Sequence, residues 1–263
     1  MPLVFGAICP HPPILIPAIG QENLKKLKKT KVAMEKLAED FYQSAPDTVI
    51  VISPHLQEKT DSFSIGHTPS FKVSFKDFGD LETKLEFKHN IGLAYKIKES
   101  LETKIPVILS HEENLDHGSA VPLYYLTKMY RNVSVIPISY SLSTRQVHFQ
   151  FGQAIREIID STLERVAVVA SGDLSHCLKE GAPAGYSPRG REFDKLVRKF
   201  LVEKDVSAML NLDESLVKEA AECGFRSILI LLGIFDKINY EVELLSYQSP
   251  FGVGHLVANL RIK

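Results

Sequence analysis

The apolar and polar positions of the chain are organised around a short β-branched run, Val49–Ile52. Four consecutive residues of this kind are typical of a strand buried on both faces, most often in a parallel sheet. The run stops at Ser53-Pro54, because proline cannot donate to a sheet ladder, and His55 follows at once. The pattern therefore places an imidazole just past the carboxyl end of a central strand, where open α/β sheets bind their ligands.

Two other apolar runs end in the same way. Leu3–Cys9 is followed by Pro10 and His11, and the run at residues 166–170 leads within six residues to His176. The carboxyl ends of parallel strands lie at one edge of a sheet. We therefore expect the three histidines to converge there, joined by His117 from a loop that precedes a buried helix.

Helical and strand patterns alternate along the rest of the chain. Helices are predicted at residues 21–43, 90–101, 120–130, 144–161, 191–201, 213–218 and 222–235, and further strands at 106–109, 133–138, 241–247 and 255–262. Residues 63–67 and 71–75 are predicted to form two short strands of a β excursion, a pair that lies outside the main sheet. The predicted fold is a single α/β domain over residues 1–263, with a mixed, largely parallel central sheet flanked by helices.

Composition narrows the functional classes. The 263 residues carry 31 basic and 32 acidic side chains, so a nucleic-acid partner, which needs a basic excess, is not expected. Three cysteines are too few for a disulfide framework and favour a reducing compartment. The longest mostly apolar run, Ile228–Phe235, is far too short to cross a membrane, and no basic region precedes the first apolar residues. These features predict a cytoplasmic protein with no membrane partner.

Two neutral imidazoles and one anionic side chain are the minimum for a catalytic metal site, and His11 and His55 are the natural pair. A carboxylate as the third ligand would complete the facial triad of non-haem Fe(II), whereas a thiolate would suit zinc better. Glu222 and Cys223 are the candidates for that third position. Taken singly, a histidine at a strand end is more often a loop residue, and Cys223 is more often a small buried hydrophobe.

The remaining histidines lie in polar or helical contexts and are predicted at the surface. They are His67, His89, His111 and His148.

A set of short motifs occurs in a fixed order along nearly the whole chain. They are Pro10-His11-Pro12-Pro13, Ser53-Pro54-His55, Leu115-Asp116-His117-Gly118 with Pro122-Leu123, Ser171-Gly172-Asp173-Leu174-Ser175-His176, Pro183-Ala184-Gly185-Tyr186 with Glu192-Phe193-Asp194, Glu222-Cys223-Gly224, and Pro250-Phe251-Gly252-Val253-Gly254. Together they resemble the class III extradiol dioxygenase superfamily, the LigB-like proteins. The Glu-Cys-Gly and Gly-Val-Gly pieces are most similar to the branch related to Memo.

The resemblance implies an Fe(II) enzyme that opens a catecholic ring with O2. It also implies that His11 and His55 are metal ligands. Glu222 is the expected carboxylate ligand, with Cys223 as the alternative, because Memo-like proteins have a cysteine at this position.

The same resemblance matches His176 to the family's acid/base histidine and His117 to a second active-site histidine. A metal ion lowers the pKa of one catechol hydroxyl, so that this hydroxyl loses its proton. The second hydroxyl still needs a base, and His176 suits that role. Asp173 is predicted to orient that imidazole, and Asp116 and Tyr186 to line the substrate pocket.

Three functions follow as hypotheses. The first is an Fe(II) ring-cleaving dioxygenase that acts on a small aromatic diol and O2. The second is a Memo-like metal-binding protein with a redox or regulatory role and no ring cleavage. The third is a zinc hydrolase that uses His11, His55 and Cys223. A homo-oligomer would accord with family habit, but no stretch of the sequence encodes it.

Overall fold

The computed structural model describes residues 2–56 and 60–263. The strands within these ranges are β1 (Leu3–Cys9), β2 (Thr48–Ser53), β3 (Phe63–Gly66), β4 (Ser70–Phe75), β5 (Asp80–Lys88), β6 (Val107–Ser110), β7 (Ser134–Ser139), β8 (Val166–Ser171), β9 (Tyr240–Gln248) and β10 (His255–Ile262). The helices are α1 (Pro17–Gly20), α2 (Lys28–Ser44), α3 (Ile91–Leu101), α4 (His117–Leu126), α5 (Arg145–Asp160), α6 (Pro188–Glu203), α7 (Val206–Leu210), α8 (Glu214–Ala220) and α9 (Phe225–Ile234). Short 3-10 turns cover Pro13–Leu15, Gln21–Leu27 and Lys76–Phe78.

Eight strands form one sheet in the order β6-β3-β7-β2-β8-β1-β10-β9. The central strands β7, β2, β8 and β1 are mutually parallel, whereas β10 and β9 add antiparallel pairs at one side. At the other side β3 pairs with β6 in parallel and with β7 antiparallel. The predicted α/β class with a mixed, largely parallel sheet is confirmed.

Alternation along the central strands creates an apolar layer on each face of the sheet, because successive strand side chains point to opposite faces. On β2, Ile50 and Ile52 join a core layer with residues of α5 and α9, while Val49 and Val51 join a layer with α2 and α4. All six residues of β2 are buried. The β-branched run is therefore covered on both sides, as its composition predicts.

The predicted β excursion is only partly correct. Phe63–Gly66 belongs to the main sheet, where its backbone pairs with two strands. Phe71–Phe75 does leave the sheet, but it pairs with β5, a strand that was not predicted. The predicted helix from Glu222 begins only at Phe225, so Glu222 and Cys223 lie in the loop before α9.

Two histidines predicted at the surface are buried, because neighbouring elements cover them. His89 follows β5 and bridges to Val135 of β7. His148 lies in the first turn of α5 and is buried. Its Nδ1 is 2.7 Å from the carbonyl oxygen of Thr144, and its Nε2 is 3.1 Å from the carbonyl oxygen of Ser141 in the loop before the helix. Among the described helices, none combines the length and apolarity that crossing a membrane requires.

Candidate metal centre

The site is built where β1, β8 and β2 end side by side. His11 lies two residues beyond β1 and His55 two residues beyond β2, and both strands pair with β8 between them. Proline at position 10 and at position 54 ends each ladder, so the chain leaves the sheet with the imidazole at its edge. The Nε2 atoms of His11 and His55 are 3.2 Å apart. The convergence expected from the sequence is thus present.

Cys223 provides the third ligand atom of this cluster. Its Sγ lies 3.6 Å from Nε2 of His11, and the two histidines and Cys223 each offer a ligand atom within 4.8 Å of the others. The backbone N–H of Asp173 donates to Sγ at 3.3 Å, and α9 begins two residues later. A backbone N–H donor and a nearby helix N-terminus would both stabilise the sulfur in the thiolate form that binds a metal.

Glu222 lies beside this cluster but is directed differently. Its Oε2 accepts a hydrogen bond from the backbone N–H of Phe225 at 2.6 Å, which helps to start α9. It also lines a surface recess of about 330 Å³ with Arg145, Lys218 and Arg226. No ligand group found among the described residues includes Glu222. The structure therefore brings Cys223, and not Glu222, to the two histidines.

Two of the three distances between the ligand atoms match the spacing around a metal ion. For tetrahedral coordination with ordinary bond lengths, two nitrogens should be about 3.3 Å apart and a nitrogen and a sulfur about 3.6 Å apart. The observed distances are 3.2 Å from His11 to His55 and 3.6 Å from His11 to Cys223. These residues could hold a metal with little movement.

The orientation of His11 is fixed from behind. Its Nδ1 lies 2.9 Å from Oγ of Ser171, and that hydroxyl donates to the carbonyl oxygen of Gly118. The hydroxyl hydrogen is committed to Gly118, so His11 donates its Nδ1 hydrogen to Ser171 and keeps an unprotonated lone pair at Nε2. Burial lowers the pKa of His11 to about 3, an effect that Asp173 only partly offsets. A neutral imidazole with a free Nε2 lone pair is the form that binds metals.

His117 covers the exposed side of His55. The two rings stack with centroids 4.5 Å apart at an angle of 23°. The start of α4 can lie this close to the end of β2 only with glycine at 118, since a Cβ there would lie 2.4 Å from Oγ of Ser53. Burial lowers the pKa of His117, with Asp116 and Asp173 acting in the opposite direction. His117 is therefore predominantly neutral at neutral pH.

Asp116, predicted to line the substrate pocket, is the N-cap of α4. Its Oδ1 accepts from the Ser119 backbone N–H and from Oγ of Ser53, and its Oδ2 accepts from Oγ of Ser119. These bonds tie the start of α4 to the end of β2, and so hold His117 next to His55. A contact of Asp116 with substrate stays a prediction.

Asp173 and His176 form a second group around Cys223. Each offers a ligand atom within 4.8 Å of the others and of Sγ. Nδ1 of His176 is buried and has no hydrogen-bond partner among the described residues, so Nε2 is the nitrogen open to a ligand. Asp173 is predicted to orient His176, but its Oδ1 accepts a hydrogen bond from Nδ1 of His255, at 2.9 Å. Burial raises the pKa of Asp173, but the adjacent His255 and His11 outweigh it, and that pKa lies well below its usual range.

His255 was not selected from the sequence. It is buried at the start of β10 and directly follows Gly252-Val253-Gly254. That glycine-rich motif was its only signal. Tyr186, which was selected, is 54% exposed in the loop before α6, and its backbone bridges to Leu178. Its role as a pocket residue stays a prediction.

Phe78 provides an aromatic wall that the sequence did not indicate. It lies in the turn between β4 and β5, is 42% exposed, and meets the ring of His117 with centroids 5.4 Å apart. The small two-stranded sheet therefore reaches to the edge of the histidine cluster.

Comparison with known proteins agrees with this geometry. Residues 6–258 match the family described as the catalytic LigB subunit of aromatic ring-opening dioxygenase. The chain belongs to the LigB family. Among its relatives is a Clostridium acetobutylicum protein, named without an activity, that is 34% identical over 263 residues. That match covers 96% of this chain but 56% of the relative, so the chain spans little more than half the relative's length.

The other relatives have names of two kinds, one of the MEMO1 family and one of a dioxygenase. A MEMO1 family protein of Methanosarcina mazei is 21% identical and matches 95% of this chain and 80% of its own length. A Cupriavidus necator 2,3-dihydroxyphenylpropionate/2,3-dihydroxicinnamic acid 1,2-dioxygenase is 29% identical over half of this chain and 44% of its own. The crystal structure of an uncharacterized Escherichia coli K12 protein shares the fold, with a TM-score of 0.66, 19% identity, and coverage of 86% of this chain and 91% of that one.

Proposed function

We propose that this LigB-family chain binds one metal ion through His11, His55 and Cys223 and acts as a Memo-like metal protein. The observation that carries the proposal is the position of Cys223. Its sulfur lies 3.6 Å from Nε2 of His11 and within 4.8 Å of a ring nitrogen of His55, whereas Glu222 caps α9. The similarity to a MEMO1 family protein over nearly the whole chain supports the same choice.

We propose Fe(II) for the centre because the resemblance to extradiol dioxygenases implies it, and zinc is the alternative because a thiolate ligand suits it. Two imidazoles and a thiolate suit iron, zinc and copper, and the softer thiolate disfavours Mg²⁺ and Ca²⁺. Bound iron would supply electron transfer and Lewis acidity. The chain's own contribution is to hold Nε2 of His11 unprotonated through Ser171, and to stabilise the Cys223 thiolate through the Asp173 N–H.

Anaerobic purification and metal analysis of matched variants test the proposal. Cys223→Ser should lose most of its iron, whereas the adjacent Glu222→Gln should retain it. A Co(II)-substituted protein should show thiolate-to-metal charge-transfer absorption that disappears in Cys223→Ser. Iron loss in Glu222→Gln with retention in Cys223→Ser would restore the carboxylate triad and contradict the proposal. Zinc instead of iron in the anaerobic protein would support the hydrolase alternative.

Ring cleavage of a catecholic substrate is the second candidate function. It is favoured by His117 and His176, which flank the ligand cluster as in an acid–base site, and by the partial similarity to a dioxygenase. His176 would accept the proton of the second hydroxyl at Nε2, since Nδ1 is buried. Oxygen uptake by the iron-loaded protein with a panel of catechols tests this candidate. Failure of every catechol, with iron bound, would leave the metal-protein proposal standing.

A further inference from the structure

A second recess, separate from the histidine cluster, is lined by basic side chains. It has a volume of about 430 Å³ and lies between α6 and the end of β9. The lining residues, which we call the basic recess, are Leu178, Lys179, Arg191, Lys195, Arg198, Tyr247 and Ser249. Four of these seven residues are cationic and none is acidic, although the whole chain has a net charge of −1.

The cations on α6 are stacked along one face of the helix. Arg191, Lys195 and Arg198 follow at intervals of four and three residues, which places like charges on adjacent turns. Elsewhere the chain uses this spacing for opposite charges, as in Lys31–Glu35 and Arg156–Asp160. A row of like charges costs stability instead of adding to it, so a compensating anion is expected at this face.

The acidic residues next in the sequence do not pair with Arg191 or Lys195 of the basic recess. Glu192 lies 3.5 Å from Arg189, on the other side of the helix start. Asp194 is 1% exposed and directed inward, where it accepts from the hydroxyl of Tyr247 and the backbone N–H of Ser175. In the ranges that the structure describes, neither Arg191 nor Lys195 forms a salt bridge. Their charges are therefore available to a ligand.

Part of the basic recess is fixed before any ligand binds. The guanidinium of Arg198 lies 3.9 Å from the centroid of the Tyr247 ring, and its Nε donates to the carbonyl oxygen of Asp194. The Lys179 ammonium donates to the carbonyl oxygen of Pro250 across the mouth. Fixed donors lose less conformational entropy when they bind an anion than mobile ones do.

We infer that the basic recess binds a small phosphorylated ligand with more than one negative charge. Two arginines present planar forks that match phosphate oxygens, and two lysines add point charges. The volume suits a compact molecule and not an extended chain. This inference is independent of the metal and of ring cleavage.

Calorimetric titration of the purified chain with inorganic pyrophosphate, beside orthophosphate, tests the inference. Pyrophosphate should bind saturably at one site and more tightly than orthophosphate. Arg191→Gln/Lys195→Gln should weaken pyrophosphate binding by at least about tenfold, because two charge-assisted contacts are lost. Arg191→Lys should bind more tightly than Arg191→Gln but more weakly than the parent, because lysine keeps the charge and lacks the planar fork.

A charge-matched control separates the basic recess from general attraction. Lys84→Gln/Lys88→Gln removes two exposed charges from β5 and should change the affinity by less than about twofold at 0.15 M ionic strength, where distant charges are screened. Pyrophosphate also binds metals, so the titration is repeated with Cys223→Ser, which should leave the affinity unchanged. Equal losses in the two double variants, loss in Cys223→Ser, or no saturable binding would each overturn the inference. Circular dichroism of each variant excludes unfolding as the cause.

Discussion

At the scale of single residues, the hydroxyl of Ser171 is the support on which the metal centre depends most. It accepts the Nδ1 hydrogen of His11 and donates to Gly118, so it determines which nitrogen of His11 carries the proton. Ser171→Ala should weaken metal binding by about 10- to 100-fold without removing a ligand, the usual effect of losing a partner behind a metal-bound histidine. Competition with a chelator measures this affinity. Unchanged affinity would show that packing alone orients His11.

His176 separates catalysis from metal binding. If ring cleavage is the activity, His176→Ala should keep near-normal iron affinity and lose turnover by about 10²- to 10⁴-fold, the size of a general acid–base contribution. The loss should appear in kcat as well as in kcat/KM, because proton transfer belongs to the transition state. His11→Ala should lose iron and activity together. Iron loss in His176→Ala equal to that in His11→Ala would make His176 a ligand and not a base.

Asp194 should make stability depend on pH. Burial raises its pKa to about 7, against about 3.9 for an exposed aspartate, and its bonds with Tyr247 and Ser175 only partly offset this. Between these values the folded chain keeps a proton that the unfolded chain releases. The contribution of protonated Asp194 to the free energy of unfolding is therefore full below about pH 4. It falls as pH rises to 7, by up to about 1.4 kcal/mol per pH unit.

Asp194→Asn tests this pH dependence. Asparagine can accept from Ser175 and donate to the Tyr247 oxygen with little change of shape. Denaturant unfolding at pH 4 to 7 should show that the stability difference between Asp194→Asn and the parent moves in favour of the variant as pH rises. A constant difference across this range would mean that Asp194 is already ionised.

The choice between Glu222 and Cys223 shows where sequence reasoning reached its limit. Both residues were candidates, and nothing in their spacing distinguishes adjacent positions in an irregular loop. The direction of each side chain depends on the backbone before α9, where Ala221 takes a left-handed conformation with φ of 50° after α8. A non-glycine residue seldom adopts this conformation, so the turn could not be anticipated.

At the scale of elements, the strongly apolar strands were predicted, whereas the amphipathic strand β5 was missed. The runs of β1, β2 and β8 are buried on both faces, so composition alone identified them. β5 has no apolar run, but Leu81, Leu85 and Phe87 alternate with charged residues, which is the period-two pattern of a half-buried strand. This alternation was overlooked in the sequence because continuous apolar runs were given more weight. Phe78 was missed with β5, since it lies in the turn between β4 and β5.

The N-cap of α4 should matter more than an ordinary cap. Asp116 accepts three hydrogen bonds and joins α4 to β2, whereas Thr144 accepts one, at 3.4 Å, at the start of α5. Asp116→Ala should cost about 2 kcal/mol of unfolding free energy, and Thr144→Ala about 0.5 kcal/mol, the two ends of the range for helix caps. Urea unfolding measures both. Asp116→Ala should also weaken metal binding, because the start of α4, including Gly118, would no longer be held against His55. Equal costs for the two caps would contradict the tie between α4 and the site.

At the scale of the whole molecule, the proposed metal centre joins parts of the chain that are far apart in sequence. His11 follows β1, His55 follows β2, and Cys223 precedes α9, which packs on the opposite layer from α4. The parallel strand order brings these parts together, and the ligand atoms then meet only in the folded state. Metal bound at the proposed centre would therefore stabilise folding by mass action, since the unfolded chain has no such site.

Metal removal should lower the melting temperature of the parent protein. With free metal at about 100 times its dissociation constant, the stabilisation is about 2.7 kcal/mol. For a chain of this size that amount corresponds to a shift of roughly 5–10 °C in Tm. Scanning calorimetry under anaerobic conditions, with and without a chelator, measures the shift. Glu222→Gln should keep the shift and Cys223→Ser should lose most of it, because only the latter removes a ligand. A shift that survives in Cys223→Ser would mean that the metal acts elsewhere in the molecule, and the proposed centre would then be wrong.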